Sequence, residues 1–209
     1  MTRIAPTIAQ RASMDHLRHL PRGRFRFIGV DVETANRSNS SICQIGLAFV
    51  GHDGRVATYS ALIDPETYFA PGNVRVHGLS ERDCLGAPTF ADVIEDLRPV
   101  MEAHPLVQHS RIDERAFNGA CRLARVRSLD ATWLDSVQIA RKAWPDLRRR
   151  NGGTGHGLAS LKRALGLRFH HHDAGEDARA CAQVVLAAED RIRLPKALHP
   201  QAVQLELPL

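Results

Sequence analysis

The sequence predicts a mixed α/β fold in which helices flank a five-stranded sheet. Three apolar, strand-like runs come first, and the Asp53-Gly54 pair between the second and third is typical of a β-hairpin turn. From residue 89 onward, segments with apolar residues at helical spacing alternate with short apolar runs. This order favours three antiparallel strands joined by two parallel strands, packed against helices.

The strands are predicted from continuous runs of apolar residues. Such runs indicate strands that are buried on both faces. The three long strands are expected over Phe25–Glu33, Cys43–Gly51 and Val56–Ile63, and two short strands over Leu106–His109 and Ala131–Leu134.

The helices are predicted from their caps and from apolar periodicity. Thr89 is expected to cap a helix in which apolar residues recur at i, i+3, i+4 and i+7. Asp135 is expected to cap a helix that ends at Ala143, and Gly166 to end a helix that contains Leu158. Further helices are predicted over about 113–125 and 173–191, and a mobile Gly-rich loop over 146–155.

The chain of 209 residues is expected to hold one main domain with two extensions. These are a basic N-terminal arm over 1–23, the main domain over 24–191 and a C-terminal tail over 192–209. The chain has no apolar run long enough to span a membrane and no secretory signal, so we expect a cytoplasmic protein. Four widely spaced cysteines predict buried thiols rather than a disulfide frame or a zinc site. The net charge of +5 and pI of about 9.4 are compatible with a polyanionic partner.

Two carboxylates, Asp31 and Glu33, stand at the end of the first predicted strand, in the stretch FIGVDVET. Residues i and i+2 of a strand point to the same face, so these side chains project side by side. Two negative charges that close repel each other, and burying them unpaired costs several kcal/mol or more. A cation is therefore expected beside them.

Two further acidic residues are expected to face inward from predicted helices. Asp113 precedes Phe117 by four residues, and Asp177 precedes Cys181 by four, which places both carboxylates near apolar helix faces. Four inward carboxylates from three elements predict a site for a hard cation such as Mg²⁺. Two such ions about 3.5–4 Å apart can stabilise both the attacking and the leaving oxygens of phosphodiester cleavage.

Three motifs over about residues 25–190 resemble the DEDDh family of 3′→5′ exonucleases, which includes the proofreading subunits of bacterial replicative polymerases. DVET resembles the first motif, HSRIDERAF the second and HHDAGED the third. Shorter family features are Cys43-Gln44-Ile45-Gly46, Val76-His77-Gly78-Leu79 and Gly157-Leu158. The sequence departs from the common pattern at Ser110, where many members have Asn, and at Ile112, where many have Phe. The resemblance implies a ribonuclease H-like fold.

The resemblance also implies a role for each motif residue. Asp31, Glu33, Asp113 and Asp177 would be the ligands of two Mg²⁺ or Mn²⁺ ions, with Asp31 shared between them. His172, five residues before Asp177, would be the general base that takes a proton from the attacking water. Weaker candidates for substrate contacts are Thr34, His77 and Ser110.

Each of these residues also has a structural alternative. Asp113 could act only as a helix N-cap, Asp177 as a partner of the helix dipole, and Asp31 as a strand-end carboxylate satisfied by a helix. His172 could belong to a polar loop of three histidines. Asp173 and Glu176 are interpreted as a pair that caps the last helix.

The chain ends in the sequence QLELPL, which resembles the short peptides that dock bacterial replication and repair proteins on the sliding clamp. A short extended peptide loses little entropy on binding, and its leucines can fill apolar pockets. The residues that would bind the clamp are Gln204, Leu205, Leu207 and Leu209. A strand that docks on its own domain is the alternative.

The sequence thus predicts a metal-dependent 3′→5′ exonuclease that releases nucleoside 5′-monophosphates from DNA 3′ ends in replication or repair. One alternative is an exoribonuclease that trims RNA ends or degrades oligoribonucleotides. Another is a non-catalytic adaptor that binds the clamp. The tail is the sequence feature that favours DNA over RNA.

Overall fold

A computed structural model describes residues 19–147 and 155–199. Its centre is one five-stranded sheet with the strand order β3-β2-β1-β4-β5, in which β1, β2 and β3 pair antiparallel while β4 and β5 add in parallel. The strands are β1 (Phe27–Thr34), β2 (Ile42–Val50), β3 (Val56–Leu62), β4 (Leu106–Gln108) and β5 (Trp133–Asp135). The predicted mixed sheet is confirmed, with every strand boundary within two residues of its expected position.

Seven α-helices connect and flank these strands in the described part of the chain, and a 3₁₀ helix follows over Lys196–Leu198. The α-helices are α1 (Pro71–His77), α2 (Glu81–Cys84), α3 (Phe90–Glu102), α4 (Ile112–Ala124), α5 (Ser136–Ala143), α6 (Leu158–Leu165) and α7 (Ala174–Glu189). The predicted caps are present, since Thr89 accepts from the N–H of Asp92 and Asp135 from the N–H of Val137.

The helices α1 and α2 were not predicted from the sequence. They are short and bury almost no apolar surface, so they carry no periodic pattern. Their boundaries are nevertheless marked locally. Pro71 occupies the first helical position of α1, and Gly78 ends that helix with φ of 80°.

The two faces of the sheet bury two different hydrophobic clusters. Alternate residues of β1 point to opposite faces, so Ile28 packs with α3 and α4 while Phe27 packs with α5 and α7. Asp31 and Glu33 share the parity of Phe27. They therefore project from the face that α7 covers.

Small residues let α7 lie unusually close to the sheet. A Cβ atom added to Gly46 would lie 2.0 Å from the backbone of Ala174, and one added to Gly29 would lie 2.5 Å from the carbonyl oxygen of Ala178. A side chain at either glycine would force the helix away from the sheet. This close approach brings the first turn of α7, with Asp177, beside the end of β1.

Most of the predicted N-terminal arm and the end of the C-terminal tail lie outside the described residues. Within the described part, Leu194 and Leu198 are buried in the cluster beneath α7, although the main domain was predicted to end at residue 191. The four cysteines are buried and free. Within residues 19–147 and 155–199, the helices are too short or too polar to cross a lipid bilayer.

Candidate active site

The end of β1 carries the first two candidate ligands. Asp31 pairs with Gly46 of β2 and Glu33 with Gln44. The Gln44 side chain accepts a hydrogen bond of 3.1 Å from the backbone N–H of Ala174, the first residue of α7. The β1–β2 pair therefore fixes both the carboxylates and the start of the helix that faces them.

Asp113 lies in the first turn of α4 and is only 4% exposed. Its Oδ1 accepts a hydrogen bond of 3.2 Å from the backbone N–H of Val32, so it is tied to β1 directly between the other two carboxylates. The N-cap of α4 is Arg111. Asp113 therefore does not serve as the cap that the sequence left as an alternative.

Asp177 lies in the first turn of α7 and is 3% exposed. Its carboxylate accepts from the backbone N–H of His172 at 2.8 Å and from Nδ1 of His171 at 2.9 and 3.0 Å. The cap of this helix is Asp173, which accepts from the N–H of Glu176, whereas the Glu176 side chain pairs with Arg179. Only half of the predicted capping pair is thus formed.

The carboxylates converge on one cavity of about 390 Å³. Asp31, Glu33 and Asp177 each place one oxygen within 4.8 Å of the others, and Asp113 lines the same cavity. Among the described residues that line it, none is a lysine or an arginine. The described ion pairs also leave Asp31, Glu33 and Asp113 without a cationic partner.

The crowding of negative charge raises the carboxyl pKa values. Burial and the neighbouring carboxylates, Asp113 foremost, raise the pKa of Asp31 well above its ordinary value. Burial raises the pKa of Glu33 to about 7, with a further contribution from Asp177. Burial also raises the pKa of Asp113 to about 7, against the opposing hydrogen bond from Val32. The described residues around the cavity therefore do not neutralise the negative charge of these carboxylates.

This donor set fits hard divalent cations. Mg²⁺ and Mn²⁺ prefer carboxylate and water oxygens, and they balance the charge that raises these pKa values. The oxygens lie close enough to share an ion, and the cavity leaves room for further ligands. The residues that could hold the metal are Asp31, Glu33, Asp113 and Asp177.

Two adjacent histidines, His171 and His172, line the same cavity. Their rings stack with centroids 4.0 Å apart, and His172 adopts a positive φ of 70°, which is uncommon for a residue other than glycine. His171 binds Asp177, whereas neither ring nitrogen of His172 has a hydrogen-bond partner among the described residues. Burial lowers the pKa of His172, which favours the neutral ring.

The weaker sequence candidates lie at different distances from the carboxylates. Ser110 lines the cavity and adopts φ of 96°. His77 lies behind the end of β1, where its Nε2 donates to the carbonyl oxygen of Thr34 at 3.2 Å. Neither His77 nor Thr34 lines the cavity. The four residues of the predicted clamp peptide lie outside the described part of the chain.

Sequence reasoning missed one wall of the cavity and the contact of His171. The wall consists of Gly157, Leu158, Ala159 and Ser160, at the start of α6. The Gly157-Leu158 pair was noted only as a family feature, because small and apolar residues at a helix start carry no chemical signal. The contact of His171 was not predicted, because the family motif places its histidine five residues before the last aspartate, which is the position of His172.

Comparisons with known proteins agree with this geometry. Residues 28–185 match the sequence profile of the RNase T exonuclease family. The epsilon subunit of DNA polymerase III from Treponema pallidum (strain Nichols) is 25% identical over 162 residues, which are 76% of this chain and 74% of that protein. Two further curated relatives match over only 12% and 18% of their own length.

Solved structures share the fold. Exonuclease X in complex with 5′ overhanging duplex DNA has a TM-score of 0.61 at 20% identity, covering 78% of this chain and 91% of that chain. The nuclease domain of 3′hExo, a DEDDh family member bound to rAMP, has a TM-score of 0.66 at 16% identity, covering 82% and 96%. The ribonuclease H-like architecture inferred from the motifs is confirmed. Because the profile match spans more than half of the chain, this protein belongs to the RNase T exonuclease family and is a 3′→5′ exonuclease, a phosphodiester hydrolase.

Proposed function

We propose that this protein removes nucleoside 5′-monophosphates from the 3′ ends of DNA, in replication or repair, with two Mg²⁺ or Mn²⁺ ions held by its acidic cluster. The observation that carries the proposal is the convergence of four carboxylates from β1, α4 and α7 on one cavity, where no lysine or arginine is among the described lining residues. Exonucleases of this family typically use divalent metal ions. The identity and number of the ions belong to the proposal.

The residues of the site have distinct roles in this proposal. Asp31, Glu33, Asp113 and Asp177 hold the ions, which when bound lower the pKa of water and stabilise negative charge on the phosphate. His172 accepts the proton of the attacking water, because its ring is free and lines the same cavity. Asp113 is itself fixed by the N–H of Val32, so the ligand set is preorganised around β1.

The DNA substrate is supported by the relatives and by the C-terminal peptide. The Treponema pallidum relative is a DNA polymerase III subunit, and Exonuclease X was solved with duplex DNA. An exoribonuclease is the second candidate, because other structures of the same fold were solved with rAMP or concern recognition of a histone mRNA stem-loop.

A direct comparison of DNA and RNA tests this proposal. The full-length protein is incubated with Mg²⁺ and 5′-end-labelled DNA and RNA oligomers of matched sequence. Stepwise shortening from the 3′ end that is faster for DNA supports the proposal, and faster shortening of RNA supports the second candidate. Failure to shorten either strand in Mg²⁺ or Mn²⁺ rejects both.

The C-terminal peptide is proposed to bind the sliding clamp and thereby to raise the local concentration of the enzyme on DNA. Deletion of Gln204–Leu209 is expected to leave hydrolysis of free oligomers unchanged, since these residues follow the whole catalytic region. Binding to the purified clamp, measured by surface plasmon resonance, is expected to weaken. Equal clamp binding with and without the peptide would reject this part of the proposal.

Metal affinity is expected to rise steeply with pH. Glu33 and Asp113, with pKa values of about 7, keep their protons at pH 5, and a metal ion must displace them. In the metal-free protein the folded state holds more protons than the unfolded state between about pH 4 and 7, so these groups contribute less to stability as the pH rises.

We therefore expect Mg²⁺ to bind at least about 100-fold more weakly at pH 5 than at pH 8. Calorimetric titration measures this directly. The rise in Tm on adding Mg²⁺ should be small at pH 5 and large at pH 8, and comparing Tm with and without metal at each pH cancels the titration of histidines elsewhere. An equal rise at both pH values would contradict the ligand assignment.

A further inference from the structure

One wall of the cavity comes from an element that carries none of the four carboxylates. Gly157 and the first turn of α6 form this wall, whereas the carboxylates come from β1, α4 and α7. The wall contains no titratable side chain. It can therefore bind and orient a substrate, but it cannot transfer a proton.

One side chain ties this wall to the sheet. His109 directly follows β4, and its Nε2 donates to the carbonyl oxygen of His156 at 3.1 Å. Its Nδ1 lies 2.8 Å from Oγ of Ser136, the fully buried first residue of α5. The ring of His109 thus joins β4, α5 and the segment before α6. In the described part of the chain, the backbone hydrogen bonds of paired strands do not join these three elements.

The hydrogen-bond partners also determine the tautomer of His109. A carbonyl oxygen can only accept, so Nε2 carries the proton that bonds to His156. Burial lowers the pKa of His109 to about 4, so the ring is neutral near pH 7 and Nδ1 has a lone pair that faces the Ser136 hydroxyl. The carbonyl oxygen of Gln108 is a second acceptor for that hydroxyl, at 3.0 Å. Cys181 of α7 in turn lies 3.3 Å from that hydroxyl.

The segment that His109 holds has other anchors, since Leu158 and Leu161 of α6 pack in a buried cluster with residues of α5 and α7. The N–H of Gly155 donates to the carbonyl oxygen of Leu147, and His156 donates from Nε2 to Trp144 at 2.8 Å. Gly157, the N-cap of α6, provides no side-chain cap. Among the described hydrogen bonds, the one from His109 to His156 connects this segment to the end of β4.

We propose that His109 is a positioning residue that holds the first turn of α6 at the cavity of the carboxylate cluster, where this wall contacts the nucleic-acid strand. The contact with nucleic acid rests on the proposed function, whereas the tether, which is the hydrogen bond from His109 to His156, does not. Loss of the tether should let the wall move away from the carboxylates. Substrate binding should weaken, and the chemical step should change little because the ligands and His172 are not attached to this segment.

Two substitutions of His109 separate the tether from the mere presence of a polar side chain. The amide nitrogen of Gln can occupy the place of Nε2 and donate to the carbonyl of His156. The shorter Asn places its amide near the position of Nδ1 and does not reach that carbonyl. His109→Gln is therefore the rescuing variant, and His109→Asn is the disrupting one.

Kinetics of the full-length enzyme test the substrate contact. His109→Asn is expected to raise KM about tenfold, the effect of losing roughly one buried hydrogen bond, with kcat changed less than about threefold. His109→Gln should restore KM to within about threefold of the original value. An unchanged KM in His109→Asn, an equal defect in both variants, or a fall in kcat alone would overturn the proposal.

Two measurements test the tether without any substrate. Nitrogen NMR of the unsubstituted protein should show His109 as the neutral tautomer with its proton on Nε2. Hydrogen exchange of the 157–161 peptide should speed up in His109→Asn and return to the original rate in His109→Gln, with Tm recorded for each variant. The opposite tautomer, or exchange that does not differ between the variants, rejects the tether even if the enzyme hydrolyses neither DNA nor RNA.

Discussion

Asp31→Asn is expected to abolish hydrolysis and at the same time to stabilise the metal-free protein. Four other acidic side chains contribute to the raised pKa of Asp31: Asp113, Asp177, Glu33 and Asp173. Removing the charge of Asp31 removes a proposed metal ligand. Bound divalent ions contribute several kcal/mol to transition-state stabilisation, so kcat should fall about a thousandfold or more. End-labelled oligomers and saturating Mg²⁺ measure the loss.

The same substitution that lowers activity should raise the stability of the metal-free protein. Because the pKa of Asp31 is raised, ionising its carboxyl group is less favourable in the folded metal-free protein than in the unfolded chain. The contribution of this group to stability is therefore lost as the pH rises from its unfolded pKa toward its folded pKa. Asn does not titrate, so the Tm of the variant in EDTA should exceed that of the original protein, and more so at pH 8 than at pH 6.

Glu176→Gln is the matched control for Asp31→Asn. Glu176 neighbours Asp177 in sequence, but its side chain pairs with Arg179 and does not line the cavity. The kcat of Glu176→Gln should stay close to that of the original protein. An Asp31→Asn variant that keeps its activity would contradict the assignment. A variant that is inactive because it is unfolded, as shown by its Tm in EDTA, would contradict it as well.

His172→Gln is expected to lower kcat by roughly 100- to 10,000-fold, the contribution typical of a general base. The ring of His172 is free to accept a proton at the cavity, whereas the ring of His171 is bound to Asp177. The two side chains are adjacent and stacked, so substituting each in turn is a sharp test. His171→Gln should lower kcat much less, because Asp177 keeps the hydrogen bond from the backbone N–H of His172.

Rapid-mixing measurement of a single turnover in saturating Mg²⁺ provides the comparison, since it reports the chemical step rather than product release. Tm measured with metal shows whether either variant disturbs the fold. A larger loss in His171→Gln than in His172→Gln would transfer the general-base role to His171. An equal, small loss in both would remove the histidines from the proton transfer.

Much of the site could be predicted from the sequence because each metal-ligand candidate has a local signature. Asp31 and Glu33 end an apolar run, and Asp113 and Asp177 lie one helical turn before the buried residues Phe117 and Cys181. A carboxylate beside buried apolar residues is unfavourable unless it is compensated. The pattern therefore indicated both the strands and the residues that face inward.

The wall of the cavity and its tether could not be predicted in the same way. His109 and His156 are 47 residues apart, and their hydrogen bond joins a side chain to a carbonyl oxygen, which every residue has. The contact between His171 and Asp177 also depended on the path of one loop, in which His172 adopts positive φ. Spacing along the chain carries no information about such contacts.

The sequence by itself determined the five strands, the helices α3 to α7 and which carboxylates turn inward, because burial and periodicity are local properties that a chain repeats along each element. Its motifs indicated the family. Only the tertiary structure decided that oxygens from β1 and α7 meet within 4.8 Å, which of two histidines stays free, and which helix closes the cavity. Those outcomes depend on how closely separate elements pack. The glycines Gly29 and Gly46 permit that approach, but its distance is set only when the helix and the sheet meet.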